Sequence, residues 1–330
     1  LINIEWAGKK LNIVDTPGYL EFHGEAKSAL RVADFAAIVL SSNHGVEVGS
    51  ELSWGYAKKD YDIPVLFVVN QLDRENADFD AVIAQLRERF GNKVFPFMVP
   101  VNHGEGFNQI GDVLRKELYT YELDGSGNYS EKKADGEWGD KLDEMHEELI
   151  ELIAESDDSL LETFFENGEL TEEELRGGLH NAFISGGLIP VFAIASKNNV
   201  GVKRMMDVVS RYAPCASDFK EVHGKRPGTD EAIHHGPSVD EPVSAFVFKT
   251  VSEPHIGELS FFRVYSGTIT AGDSLSNTSR NTTEKMRQVF FMNGKNRVDS
   301  NKLIAGDIGA AVKLKNTHTG DTLASSQSPI

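Results

Sequence analysis

Two short stretches concentrate the side chains with most chemistry. In VLFVVNQLD, residues 65–73, an apolar strand pattern runs into Asn70 and Asp73. Ligands of open α/β folds bind outside the carboxyl ends of the strands, so both polar side chains stand on the edge where a ligand is held. A carboxylate such as Asp73 accepts from the N1–H and from the exocyclic amino group of guanine. Adenine offers no such donor pair, so GTP is favoured over ATP. Asn70 is expected to brace the loop and to reach the other edge of the purine. In IVDTPGYLEF, residues 13–22, a second apolar run, Leu11 to Val14, enters the turn Asp15-Thr16-Pro17-Gly18, followed by Tyr19. An acid at a strand end before a turn is common, and the weight of this stretch comes from its partner downstream.

These loops need a sheet to position them. The first 101 residues alternate buried-strand and helix patterns: LNIVD, EAKSALRVAD, FAAIVLSS, SELSWGYAKKD, PVLFVVN, DFDAVIAQLRERFG and KVFPFMVPV. Short Val/Ile/Leu runs between amphipathic segments predict a parallel sheet with covering helices, and Gly91 after Arg87, Arg89 and Phe90 marks a helix stop. Residues 102–180 break the alternation. DVLRKELYTYELDGSGNYSEKKADGEWGD reads as an antiparallel ribbon or loop, and Leu142, Met145, Leu149, Leu152 and Ile153 share one helical face. Ser159 with Glu162 and Thr171 with Glu174 have capping-box spacing and predict two more helix starts. The insertion therefore reads as mostly helical. The alternation resumes with IPVFAIAS and VKRMMDVVSRYA, residues 181–222 rejoining the first sheet. Residues 223–240 read as a linker. His234 and His235 sit in it without a partner cluster, which weighs against a metal site. From residue 241 to 330, short strands between Gly, Asn and Asp turns predict a β-barrel.

The 330 residues hold enough apolar side chains, 40%, for two or three cores, and no apolar run is long enough to span a bilayer. The single cysteine, Cys215, excludes an internal disulfide, points to a reducing cytoplasm and reads as an apolar filler. No Cys/His spacing suggests zinc. The net charge of −18 argues at first against nucleic-acid partners, and no DNA partner is expected, but the charge is unevenly spread: residues 131–176 hold 18 acidic and 4 basic side chains, and residues 241–330 hold 10 basic and 8 acidic. An acidic insertion suits a basic protein surface, and the barrel suits RNA; the plainer reading of both is a solvated face.

The chain resembles elongation factor G, a translational GTPase, over nearly its whole length. DTPGYLEFHGEAKSALRVAD resembles that family's DTPGH turn and following helix, HGVEVGSE its next loop, and NQLDR its NKMDR element. The insertion resuming at IPVFAIASKNNVGV resembles the family's extra subdomain. FKTVSEPHIGELSFFRVYSGTITAGDSL through LIAGDIGAAVKLKNTHTGDTL is similar to its second domain.

The resemblance implies an α/β fold: a P-loop GTPase-type mixed sheet, truncated at its N-terminus, with an acidic inserted subdomain and an all-β translation-factor barrel. It also implies a guanine-nucleotide site made of Asp15, Thr16, Pro17, Gly18, Asn70, Gln71, Asp73, Ala195, Ser196 and Lys197. Asp15 would hold Mg²⁺ through water, and Gly18 would sense the γ-phosphate. The expected partner is the ribosome, met by the barrel at small-subunit rRNA and by the insertion at large-subunit proteins, with a monomeric factor driving tRNA and mRNA translocation. A release-factor or tetracycline-protection type of translational GTPase shares much of this architecture and is a more distant alternative.

The sequence also departs from the family. No GxxxxGK[ST] loop occurs: Gly8-Lys9-Lys10, Gly224-Lys225-Arg226 and Gly294-Lys295-Asn296 lack the Ser/Thr and the preceding glycine. The chain opens on Leu1 inside the strand-like LINIEWAGKKLNIV, which points to upstream material. The stretch alone is therefore expected to carry no bound nucleotide and to be inactive. Tyr19 stands at the family's catalytic histidine, Gln71 at the lysine that lies along the guanine ring, and Ala195-Ser196 where the family has Ser-Ala. These changes suggest an impaired GTPase, or a ribosome-binding paralogue with little or no hydrolysis; the plainer reading is tolerated drift in a working GTPase. His23, four residues on from Tyr19, is expected on the emerging helix rather than in the turn.

Overall fold

The computed structural model describes residues 1–168, 170–219, 221–253 and 257–330. Pro254 to Ile256, within the FKTVSEPHIG stretch, lie outside the described residues. The chain divides into two compact units, Phe35–Pro214 and a second made of Leu1–Asp34 with Cys215–Ile330.

The unit Phe35–Pro214 is built on a four-stranded parallel sheet ordered Ala36–Ser41, Val65–Asn70, Ile189–Ala193, Val94–Pro96. Its central strands are continuous apolar runs, buried throughout apart from the half-buried Asn70, as a sheet covered on both faces requires. Helix Phe79–Phe90 starts where the Asp78 carboxylate accepts from Ala81 N at 2.9 Å, and it stops at Gly91, whose φ of 99° suits glycine. Trp54, Phe67 and Phe90 form one aromatic stack, with ring centroids 4.7 to 5.8 Å apart. The expected return of the chain to this sheet is seen in Ile189–Ala193, which lies between strands formed about a hundred residues earlier.

The excursion between them opens with an antiparallel sheet ordered Met98–Pro100, Gln109–Asp112, Glu117–Tyr121, Tyr129–Lys133. Helices Gly136–Ala154, Asp158–Asn167 and Glu172–Ser185 follow. Leu142, Leu149 and Ile153 are buried along the first, on the face that the periodicity marked. Gly178 lets the third approach closely, because a Cβ there would stand 2.6 Å from Ile153 Cγ2. The Thr171/Glu174 capping box is present. The expected Ser159 cap is not: Asp157 caps that helix, and Ser159 Oγ donates to its Oδ1 at 2.6 Å, because an ionised carboxylate is the stronger acceptor.

In the other unit, LNIVD departs from its expected place. Strand Lys9–Ile13 belongs to a two-stranded antiparallel hairpin with Ile2–Trp6, not to the parallel sheet. The cause is local: Ala7 and Gly8 both take positive φ, 47° and 73°, the two-residue turn whose twist matches antiparallel strands. An eight-stranded antiparallel sheet spans Ser244 to Ala324 and wraps one apolar core that includes Val247, Phe262, Val264, Ile269, Val289 and Leu323. The stretch read as a linker carries its own hairpin, Val222–Lys225 paired with Ala232–His235. Cys215 is exposed rather than a filler; its N–H donates to Asp218 Oδ2 at 2.6 Å in a short turn.

A buried polar knot closes this sheet. Asp321 accepts at Oδ2 from Asn277 Nδ2 at 3.0 Å, His318 N at 2.8 Å and Arg280 Nε at 2.7 Å. Burial pushes its carboxyl up, but these donors together hold it below the ordinary value of 3.8. A depressed folded-state pKa contributes stability in full above about pH 4, and the contribution is lost as pH falls through the lowered value. Asp321→Asn is therefore expected to flatten the acid limb of stability, measured by urea unfolding between about pH 5 and 2. An unchanged limb would assign the acid sensitivity to other carboxylates.

Candidate functional site

The carboxyl ends of two neighbouring parallel strands, Val65–Asn70 and Ile189–Ala193, carry the loops that matter. Asn70 is the link between them. Its Oδ1 accepts from Gln71 N at 2.7 Å and from Ser196 N at 2.9 Å, and its Nδ2 donates to Ser196 Oγ at 2.9 Å. One side chain thus closes both loops into a single rim, the bracing role expected of it. Gln71 has a φ of 67°, and its carbonyl accepts from Ser42 Oγ at 2.8 Å while its Oε1 accepts from Ser41 Oγ at 3.1 Å. Leu72 is fully buried and anchors the loop from below. Ala195 is buried and bridged to Val200, which leaves Ser196 and Lys197 exposed on the outer turn.

Asp73 follows this anchored turn, half-buried. Among the described residues, no hydrogen bond or ion pair engages its carboxylate, whereas both polar atoms of the Asn70 side chain have partners. A braced loop presenting one uncommitted carboxylate, with the Lys197 ammonium on the adjoining turn, fits the donor pair of a guanine base. Asn70, Gln71, Asp73, Ala195, Ser196 and Lys197 are therefore brought together.

Asp15, Thr16, Pro17, Gly18 and Tyr19 lie in the other compact unit. Asp15 to Gly18 follow strand Lys9–Ile13 as irregular backbone, with Asp15 exposed and open space around Gly18. Tyr19 is extended, φ −76° and ψ 138°, and 76% exposed, its carbonyl accepting from Phe22 N at 3.0 Å. His23 opens helix His23–Leu30, with Nδ1 3.0 Å from Leu20 O, so it belongs to the helix and not the turn. This helix is held on the antiparallel sheet of its own unit: Glu25 Oε2 meets Lys249 Nζ at 2.6 Å, and Arg263 donates to Val32 O at 2.7 Å and to Asp34 at 2.5 Å. An exposed carboxylate at the turn suits a hydrated Mg²⁺, reached through water by a single protein oxygen. The phosphate cradle has no counterpart in these 330 residues.

Comparison with known proteins fits this reading. The family model of the elongation factor Tu GTP-binding domain matches residues 1–215, and that of elongation factor G domain 2 matches residues 242–326. A crystal structure of a protein from Thermus thermophilus superposes with a TM-score of 0.85 at 27% sequence identity, covering 100% of this chain and 46% of that one. This chain thus spans less than half the length of that relative. With well over half of its residues matched, the chain belongs to the translational GTPases that carry the elongation factor Tu-type GTP-binding domain. The second match narrows the type to that of elongation factor G. Among the described residues no helix is long and apolar enough to cross a membrane.

Sequence reasoning missed two things here. It did not find Ser196 as the far anchor of Asn70, since 126 positions separate them. It also set aside His234 and His235 for want of partners. The hairpin places these two on opposite faces of a strand: His235 is buried, with Nε2 3.0 Å from Ser328 Oγ, while His234 is exposed beside His223, Nδ1 to Nδ1 2.6 Å.

Proposed function

We propose that this chain is the nucleotide-reading and ribosome-docking part of an elongation factor G-like translation factor, one that promotes tRNA and mRNA translocation. Residues 1–101 and 181–222 would act as the GTP-binding core, 102–180 as the acidic insertion, 223–240 as the connection and 241–330 as the RNA-facing barrel. The carrying observation is the rim in which Asn70 is consumed as a brace and Asp73 is left free. In this reading Asp73 accepts from both guanine donors, and Lys197 and the Ser196 turn border the base. Gln71 gives a shorter, uncharged surface where the family's lysine would cover the ring. Asp15 orients the hydration shell of Mg²⁺, and the Gly18 N–H reports the terminal phosphate. Magnesium, when bound, supplies charge that offsets the phosphates.

The test is calorimetric titration of the natural polypeptide carrying this sequence with GTP, GDP and ATP. Guanine nucleotides are expected to bind and ATP to give no heat. Asp73→Ala is expected to weaken GDP by roughly 10- to 100-fold, the scale of losing hydrogen bonds to a charged group. No heat with either guanine nucleotide would make the pocket vestigial and sink the reading.

Tyr19 supports a second reading in which the factor acts by favouring one ribosomal state, with hydrolysis slow or absent. A phenol, pKa near 10, is a poor proton acceptor at neutral pH.

A further inference from the structure

We propose that Glu221, His223 and His234 form a surface site for a divalent transition-metal ion, Zn²⁺ by its ligand chemistry. The three exposed side chains bring one carboxylate oxygen and two imidazole nitrogens within 4.8 Å of one another. The arrangement follows from the ribbon. His223 and His234 are directly paired across the hairpin Val222–Lys225/Ala232–His235, and Glu221, two residues before His223, falls on the same face. The rings meet edge to face, centroids 4.7 Å apart, with Nδ1 turned to Nδ1 at 2.6 Å; His234 Nδ1 lies 3.5 Å from Glu221 Oε2.

Two imidazole nitrogens this close must share a proton or a cation. Tetrahedral zinc with bonds near 2.0–2.1 Å separates its ligand nitrogens by about 3.3 Å, a spacing that small side-chain rotations reach from here. Two histidines and one carboxylate leave the fourth position to water, and this nitrogen and oxygen set selects zinc or a neighbouring first-row ion over magnesium or calcium. The competing cation on this face, Lys225, is drawn to Asp230 at 2.9 Å.

The ribbon is also held in place. The opposite face carries buried His235, bonded to Ser328 and 3.4 Å from Ser266 Oγ. Gly224 lies so close to Ile330 that a Cβ would stand 2.1 Å from its Cγ1. The ligands therefore sit on a braced element, and the metal would clip its two strands together.

The experiment titrates Zn²⁺ and Co²⁺ into the metal-stripped full chain. About one equivalent is expected to bind, with Co²⁺ showing the intense visible bands of a four-coordinate site. His223→Ala and His234→Ala should each weaken binding at least about tenfold, and His223→Gln, which keeps the bulk, should do the same. His44→Ala, at an exposed histidine elsewhere, should leave binding unchanged. Zinc affinity equal in wild type and His223→Gln, or a Co²⁺ spectrum that stays that of the aqueous ion, overturns the proposal.

Discussion

Tyr19→His is expected to raise ribosome-stimulated GTP turnover by about 10²- to 10⁴-fold, the range a positioned general base contributes. Phosphoryl transfer to water leaves the protein little covalent work, so placement of the attacking water carries much of the rate. In this chain that position holds a phenol that is 76% exposed on an extended residue, and the neighbouring imidazole, His23, is committed to the helix that follows. The measurement is phosphate release by the natural polypeptide with and without ribosomes, wild type against variant. Rapid turnover in the wild type, unchanged by the substitution, would show that water is placed by another group and would remove the slow-hydrolysis reading.

Arg204→Ala is expected to cost about 3–5 kcal/mol of stability in urea unfolding, the scale of breaking a buried ion pair by removing one partner. The Arg204 guanidinium, on helix Val202–Tyr212, pairs with Asp112 at the end of strand Gln109–Asp112, their side chains 7% and 1% exposed. Asp112 Oδ1 also accepts from Arg115 N at 2.9 Å. Truncation strands a carboxylate where water does not reach. Burial, reinforced by Asp112, pushes the neighbouring Tyr119 hydroxyl well above its ordinary value, so that phenol stays neutral and brings no positive charge to the stranded carboxylate. Replacing both partners, Arg204→Met with Asp112→Leu, should recover part of the loss, since both buried charges go together and only the Arg115 N–H loses its acceptor. A single-variant loss under about 1 kcal/mol would mean that the carboxylate finds another partner.

How far the sequence could be read depended on the range of the interaction. Strands that are apolar throughout, such as Val65–Asn70, and helices with local stops, such as the one ending at Gly91, carry their own signal. The Thr171/Glu174 box is a four-residue pattern and was legible; the Asp157 cap was not, because the rival acceptor stood two residues before the expected one. LNIVD misled because period and composition do not distinguish a sheet strand from one arm of a hairpin, and the Ala7-Gly8 turn decides. At the candidate site, residue types named Asn70 and Asp73. The brace at Asn70 was expected from its type; only the fold showed that its far anchor is Ser196 and that the Asp73 carboxylate is left free. The pairing of His223 with His234 needed the register of a ribbon inside a stretch that composition marks as irregular.

The placement of Ile189–Ala193 between Val65–Asn70 and Val94–Pro96 bears on how the molecule is born. As the polypeptide emerges, two finished strands must wait for a third, nearly a hundred residues later, to fill the gap between them, and closing such distant pairings is slow. Until then their facing edges are open to wrong partners, and Asn70 has no Ser196 to hold. A nascent chain halted before Ile189 should therefore be sticky and blind to nucleotide, ready for a chaperone rather than for its task.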